Sequence, residues 1–152
     1  MADLHPGVSL PRVVETDRPG KLSEWMGKAF LLPLARLLMS SLFIWDGINM
    51  LLNPSGTAQY FASVHVPFPN VAVWFAMPVH LLGGLALLVG FYSRWAAALL
   101  ILVCLGTAFA VHLPAGDLEN MINFYKNLVM TGGLLYVIAI GPGSLSVDRE
   151  VA

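Results

Sequence analysis

Four apolar stretches, each long enough to cross a lipid bilayer, occupy almost all of the chain after residue 32: roughly Pro33–Leu52, Val71–Tyr92, Trp95–Leu113 and Phe124–Gly141. A spanning helix needs about 20 residues at ~1.5 Å rise each. Hydrocarbon offers no partner to backbone N–H and C=O groups, so each crossing must satisfy its own as a helix. A dry soluble core fails on composition. With 57% apolar and only 11% charged residues, a 152-residue globule lacks the polar surface to cover itself. The expected fold is therefore all-α, a polytopic membrane four-helix bundle over residues 33–141 forming a single domain.

The segments outside the bundle read differently. Residues 1–20 (MADLHPGVSLPRVVETDRPG) have no apolar core of a signal peptide and carry three prolines with mixed charge, so they are expected to form a loosely held tail. In KLSEWMGKAFLL, residues 21–32, Leu22, Trp25, Met26, Ala29 and Phe30 recur at helical spacing while Lys21, Glu24 and Lys28 fall on other faces. This pattern predicts a short interfacial amphipathic helix before the first crossing. Residues 142–152 are read as a second tail.

Basic residues set the expected orientation. Arg12, Arg18, Lys21, Lys28 and Arg36 surround the start of the first crossing, Arg94 sits in the turn between the second and third, and Arg149 follows the fourth. The connections Asn53–Asn70 and Pro114–Asn123 contain no Lys or Arg. Every other segment is thus basic, as the positive-inside rule requires of an even number of crossings. Both termini are expected in the cytoplasm of a bacterial inner membrane, with the two neutral-to-acidic connections outside. Phe91, Tyr92 and Trp95 mark the inner interface, and Tyr60, Phe61 and Trp74 the outer one. Gly83, Gly84, Gly132 and Gly133 lie mid-helix, where they let neighbouring backbones approach.

The ionisable residues within the crossings gather toward the outer side. Counted from the expected helix ends, Asp46 lies about 9 Å in, His80 about 13 Å in, and His112 and Lys126 within roughly 3 Å of the boundary. Asn127 follows Lys126, and Asn49 lies one turn from Asp46. A charge at mid-bilayer costs roughly 2.5–3.5 kcal/mol on insertion scales, so such groups face the bundle interior and pair. Asp46, His80, His112, Lys126 and Asn127 are accordingly the candidate site, with Asp46, His80 and Lys126 expected to face one another. Structural pairing that merely locks the bundle would demand the same residues.

Several chemistries are disfavoured. The single cysteine, Cys104, excludes an internal disulfide and any CxxC motif, and reads as a small buried hydrophobe. His80 and His112 differ in expected depth by about 12 Å, too far for one chain to clamp a haem iron. Met77 and His80 at i, i+3 are a weak copper signal, and no metal site is assigned. No GxSxG, P-loop or GxGxxG occurs, and no basic patch with interleaved aromatics marks a nucleic-acid surface.

The order LARLLMSSLFIWDGINMLLNP, HLLGGLALLVGFYSRWAAALL, an alanine-rich third helix ending in His112, and YKNLVMTGGLLYVIAIGPGSLSVD resembles the DoxX family of small four-helix bacterial membrane proteins, over Leu34–Asp148. The most specific signals are the GG-L-L-x-G-x-x-x-R-x-A-A run, the Lys126–Asn127 pair and the GPG-x-x-S-x-D ending at Asp148. The resemblance implies a membrane partner of redox systems, since relatives are linked to thiosulfate:quinone oxidoreduction and to complexes handling thiol or oxidative stress. His112 and Lys126–Asn127 match the family pattern. His80 stands where the family often has an acidic residue, and Met50 where it often has lysine, as though an ion pair had been replaced together.

Three functions follow as expectations. The first is an accessory membrane subunit of a redox or respiratory system that holds a quinone non-covalently at the outer cluster and takes its electrons from a protein partner. The partner would dock on the outer connection carrying Tyr60, Phe61 and Phe68. The second is a structural anchor or assembly subunit, and the third a small permease, which requires a homo-oligomer because one such bundle is too narrow for a solute path.

Overall fold

In the computed structural model the chain is described over residues 21–143 and 145–149, with side chains from residue 29 to 143 and 145 to 148. The expected tail at residues 1–20 lies outside the described residues, as do the side chains of the amphipathic stretch through Lys28. Every described element is helical. Helix α1 runs unbroken from Lys21 to Leu52 with Pro33 inside it. The amphipathic segment therefore continues into the first apolar stretch without a break between them. Helix α2 (Pro54–Ser63) lies in the first connection, α3 spans Pro69–Val89, and α4 spans Ser93–Thr107. A π-helical turn, Ala108–His112, leads into the short α5 (Leu113–Ala115), and α6 covers Leu118–Ile140.

Local chemistry explains the boundaries. Asn53 caps α2 by accepting from the Gly56 N–H at 3.0 Å, and Pro54 follows at the first helical position, where its missing N–H costs nothing. The cap, the proline and the burial of Ala58 make this a ten-residue helix that packs on α3. Asp117 caps α6 through the Asn120 N–H at 3.0 Å, with Glu119 in the first turn near the positive helix end. That cap starts α6 six residues before the apolar stretch begins.

Helix α1 packs along α3, α3 along α4, and α4 along α6. The buried positions of α1 are Arg36, Ser40, Phe43 and Gly47, one stripe at helical spacing. Leu87, Leu100 and Leu134 are fully buried at the centre, joined by Phe43, Ala97, Cys104 and Val137. Small residues permit the close crossing of α1 and α3. A Cβ on Gly47 would stand 2.7 Å from the Leu81 backbone nitrogen, and one on Gly84 would stand 3.1 Å from that of Ile44. Gly83 packs on Leu100 and Gly133 on Met39, whereas Gly132 faces open space. Three of the four expected glycines thus make helix contacts, and Gly47 makes the tightest.

The outward faces are apolar. Trp45, Phe75, Leu82, Leu102, Val129 and Tyr136 are all more than 60% exposed. A water-soluble chain does not display such a surface, whereas lipid solvates it without cost. Three helical segments, Ala29–Leu52, Pro69–Val89 and Ser93–Ala115, are long and apolar enough to cross a membrane. Helix α6 has the length, at 23 residues, but its first half carries Glu119, Asn120, Asn123, Lys126 and Asn127.

The stretch after α6 is more than a tail. Gly143 packs against Leu32, and Ser146 against Gly90. The Asp148 carboxylate accepts from the N–H groups of Tyr92 at 2.6 Å and Ser93 at 2.8 Å, capping α4 from 55 residues away. Asp148 donates its own N–H to the Gly90 carbonyl at 2.8 Å, and Arg36 donates through Nη2 to the Leu145 carbonyl at 2.6 Å. The C-terminal segment thereby ties α1, the α3–α4 turn and the end of α6 together.

Candidate functional site

A cavity of about 120 Å³ lies among the helices, and its lining includes His112, which is linked through Asn120 to Asp117. Asp46 from α1, His80 from α3, His112 from the π turn, and Lys126 and Asn127 from α6 all line it. The structure thus brings together all five candidate residues, with apolar walls from Leu42, Phe43 and Val103.

Helix ends fall elsewhere than the apolar stretches suggest. Helix α6 begins at Leu118, so Lys126 lies eight residues, about 12 Å, from its own helix end rather than roughly 3 Å. The π turn inserts an extra residue into the end of the third long helix, and α5 carries that helix on to Ala115. His80 and His112, counted as about 12 Å apart in depth, consequently line one cavity.

Hydrogen bonds define which atoms face it. The Nδ1 of His80 lies 2.8 Å from the Ala76 carbonyl oxygen, one turn back. A carbonyl only accepts, so Nδ1 carries the proton and Nε2 is the acceptor. His80 is 8% exposed and tilts against the Phe43 ring at 5.9 Å between centroids. Thr107 donates to the Val103 carbonyl at 2.9 Å and accepts from Asn127 Nδ2 at 3.3 Å, which joins α4 to α6 beside the cavity. Lys126 donates to Asn123 Oδ1 at 2.8 Å on its own helix. Among the described residues the Asp46 carboxylate has no hydrogen-bond partner and no salt bridge to Lys126. His80 and Lys126 are nonetheless the charged or titratable neighbours whose fields reach it.

At the mouth, His112 Nδ1 lies 2.8 Å from Asn120 Oδ1. Asn120 in turn donates from Nδ2 to Asp117 Oδ2 at 2.6 Å. The side-chain and backbone bonds from Asn120 hold the exposed Asp117 carboxyl below the usual carboxylate range. Tyr60 on α2 is pushed up, first by burial and then by the negative charges of Glu119 and Asp117. Tyr60 and Phe68 are exposed on this end, while Phe61 is half-buried beside Tyr60.

Two features escaped sequence reasoning. Cys104 is buried as expected, yet it lines the cavity. Asn120 had no distinguishing signal except its place three residues after Asp117, the spacing of a helix cap.

Long apolar helices with lipid-facing surfaces and a polar cavity sunk between them define a small integral membrane protein. Comparison with known proteins then places it. The DoxX family model matches residues 31–113, more than half of the chain. Inner membrane protein YphA of Escherichia coli K12 is 36% identical over 125 residues, covering 79% of this chain and 89% of that protein. Inner membrane protein YqjF of the same organism is 38% identical over 120 residues, covering 76% and 88% respectively. A Surfeit locus protein 4 homolog of Schizosaccharomyces pombe is 31% identical over 88 residues, 51% of this chain and 29% of that one. No solved structure matches. The chain belongs to the DoxX family.

Proposed function

We propose that this chain is a four-crossing inner-membrane protein, with α6 as the fourth crossing and both termini cytoplasmic, that receives a quinone-type ring in the cavity beside a redox partner. The observation that carries this reading is the convergence of Asp46, His80 and Lys126 on one cavity without an ion pair between the carboxylate and the amine. A pair that served only to lock the bundle would be closed. Here the polar groups instead border open space beside Leu42, Phe43 and Val103, where they can meet the polar atoms of a small ligand.

The cavity, at about 120 Å³, is smaller than the roughly 150 Å³ that admits benzene, so only the edge of a quinone ring with its carbonyl fits it as it stands. Lys126 can donate to a ring carbonyl, and His80 Nε2 can accept from a ring hydroxyl. The chain has one cysteine, hence no dithiol, so electrons must come from a partner. Exposed Tyr60 and Phe68 beside the cavity mouth suit that docking. The orientation rests on Lys and Arg placement, with Arg36 and Arg94 at one end and none in the two opposite connections.

Purification in mild detergent, with extraction of bound quinone and visible spectra of associated proteins, tests the reading. Stoichiometric quinone lost in Asp46→Leu, together with a redox-active partner, is the expected result. Protein that holds no quinone and pulls down a partner without a cofactor would replace this reading with an assembly role.

A further inference from the structure

The cavity has a wired exit. His112 lines it, and its Nδ1 is bonded through Asn120 to the carboxylate of Asp117 at the surface. Asn120 gives its amide N–H to Asp117, so its Oδ1 accepts and His112 must carry a proton on Nδ1. The Nε2 of His112 has no bond among the described residues. The π turn carries this residue, which lines the cavity; such turns are frequent at functional sites. At the other wall, the Asp46 carboxylate lacks a hydrogen-bond partner and His80 offers only Nε2. A polar site needs roughly 10–15 Å³ of this kind of volume for one water, so 120 Å³ holds a chain of several.

We infer that Asp46 is a proton-binding site that exchanges with water at the Asp117 end of the molecule through His112. The inference stands on the cavity itself, whatever ring or partner the protein serves. For release, the Asp46 carboxyl gives its proton to cavity water, and His112 takes a proton at Nε2. The imidazolium then breaks its bond to Asn120 Oδ1 and gives the Nδ1 proton to surface water beside Asp117, whose negative charge holds protons near that mouth. The Nε2–H ring left behind returns to the Nδ1–H tautomer by proton exchange with water before the next transfer. Uptake is the reverse, and no electron moves. The titratable or charged groups facing this path are His80 on α3, Cys104 on α4 and Lys126 on α6 around Asp46, with Asp117, Glu119 and Tyr60 at the mouth.

The assay is pH-jump infrared spectroscopy of the full chain in detergent without added ligand, reading the carboxyl C=O stretch that Asp46→Asn abolishes. His112→Ala should slow protonation of Asp46 about 100-fold, the range of positioned proton transfer, while leaving the extent reached at equilibrium unchanged. Free imidazole in the buffer should restore the rate. Asn120→Leu, a surface change that keeps the ring, should slow it less and keeps the test decisive if His112→Ala folds poorly. An unchanged rate in both variants, slowing that imidazole does not relieve, or a carboxyl that never responds to pH would each overturn the proposal. Loss of quinone binding with the relay intact would sink only the redox reading.

Discussion

Replacing Asp148 with alanine removes the side chain that caps α4 from the far end of the chain. The carboxylate accepts two backbone N–H bonds, and they are not equal. The Tyr92 bond at 2.6 Å is exposed, so water replaces it at little cost, whereas the Ser93 bond at 2.8 Å is part-buried. Loss of an aspartate cap costs about 1–2 kcal/mol, and a half-buried charge-assisted bond falls in the same range. Attraction to the buried Arg36 adds little, being the smallest of the effects that act on Asp148. The expected loss is therefore about 2 kcal/mol for Asp148→Ala and about half that for Asp148→Asn, which keeps one acceptor oxygen. Denaturant unfolding in detergent measures it, and hydrogen exchange should accelerate at Phe91–Ala97 but not within α6. The pH dependence has a definite sign. Partial burial pushes the Asp148 carboxyl up, but the Ser93 and Tyr92 N–H groups and Arg36 outweigh it and leave the value lowered. A carboxyl depressed by folding contributes stability that is fully present above the unfolded value of about 3.9. That stability fades as pH falls through the folded value. Wild type and Asp148→Ala should thus differ constantly near neutrality and converge in acid below about pH 4. A difference under about 0.5 kcal/mol at pH 7, within the scatter of surface substitutions, would refute the cap.

Gly47→Ala should destabilise by about 1–3 kcal/mol through overpacking against Leu81, while Gly132→Ala, facing open space, should be neutral in the same unfolding assay. Gly90→Ala should fail to fold or lose about 2 kcal/mol or more, because φ there is +73° and a Cβ would strike Arg36 and Ser146; expression and thermal stability report it. Asp46→Leu should be better tolerated in detergent stability assays than Asp46→Lys, which would set a second cation beside Lys126. In intact cells with Cys104→Ala, cysteine at Ser55 or Ala115 should label from outside and cysteine at the exposed Phe91 should not; the reverse pattern would overturn the orientation.

Much of this molecule was written in its linear pattern. Four apolar runs pointed to helices in lipid, since hydrocarbon leaves the backbone no other way to satisfy its hydrogen bonds, and three helices are long and apolar enough to cross. The cost of burying Asp46 and His80 likewise favoured turning them inward, and the cavity gathers them with His112, Asn127 and the exposed Lys126. Order along the chain carried the family resemblance before any contact was known. Tertiary structure decided what depends on partners distant in sequence. Helix ends moved because caps such as Asp117, not hydrophobicity, set where α6 begins, and that placed Lys126 two turns inside its helix rather than at its start. The π turn that presents His112 has no periodicity signal, being a single-residue misfit within an otherwise regular apolar helix. Asp46 and Lys126 were expected to close on each other, yet Lys126 bonds Asn123 on its own helix and leaves the carboxylate facing the cavity. The pairing of Asp148 with the start of α4 spans 55 residues, and no local pattern encodes it. Propensity and hydropathy act over a turn or two of helix, whereas caps and cavities arise only where remote segments meet.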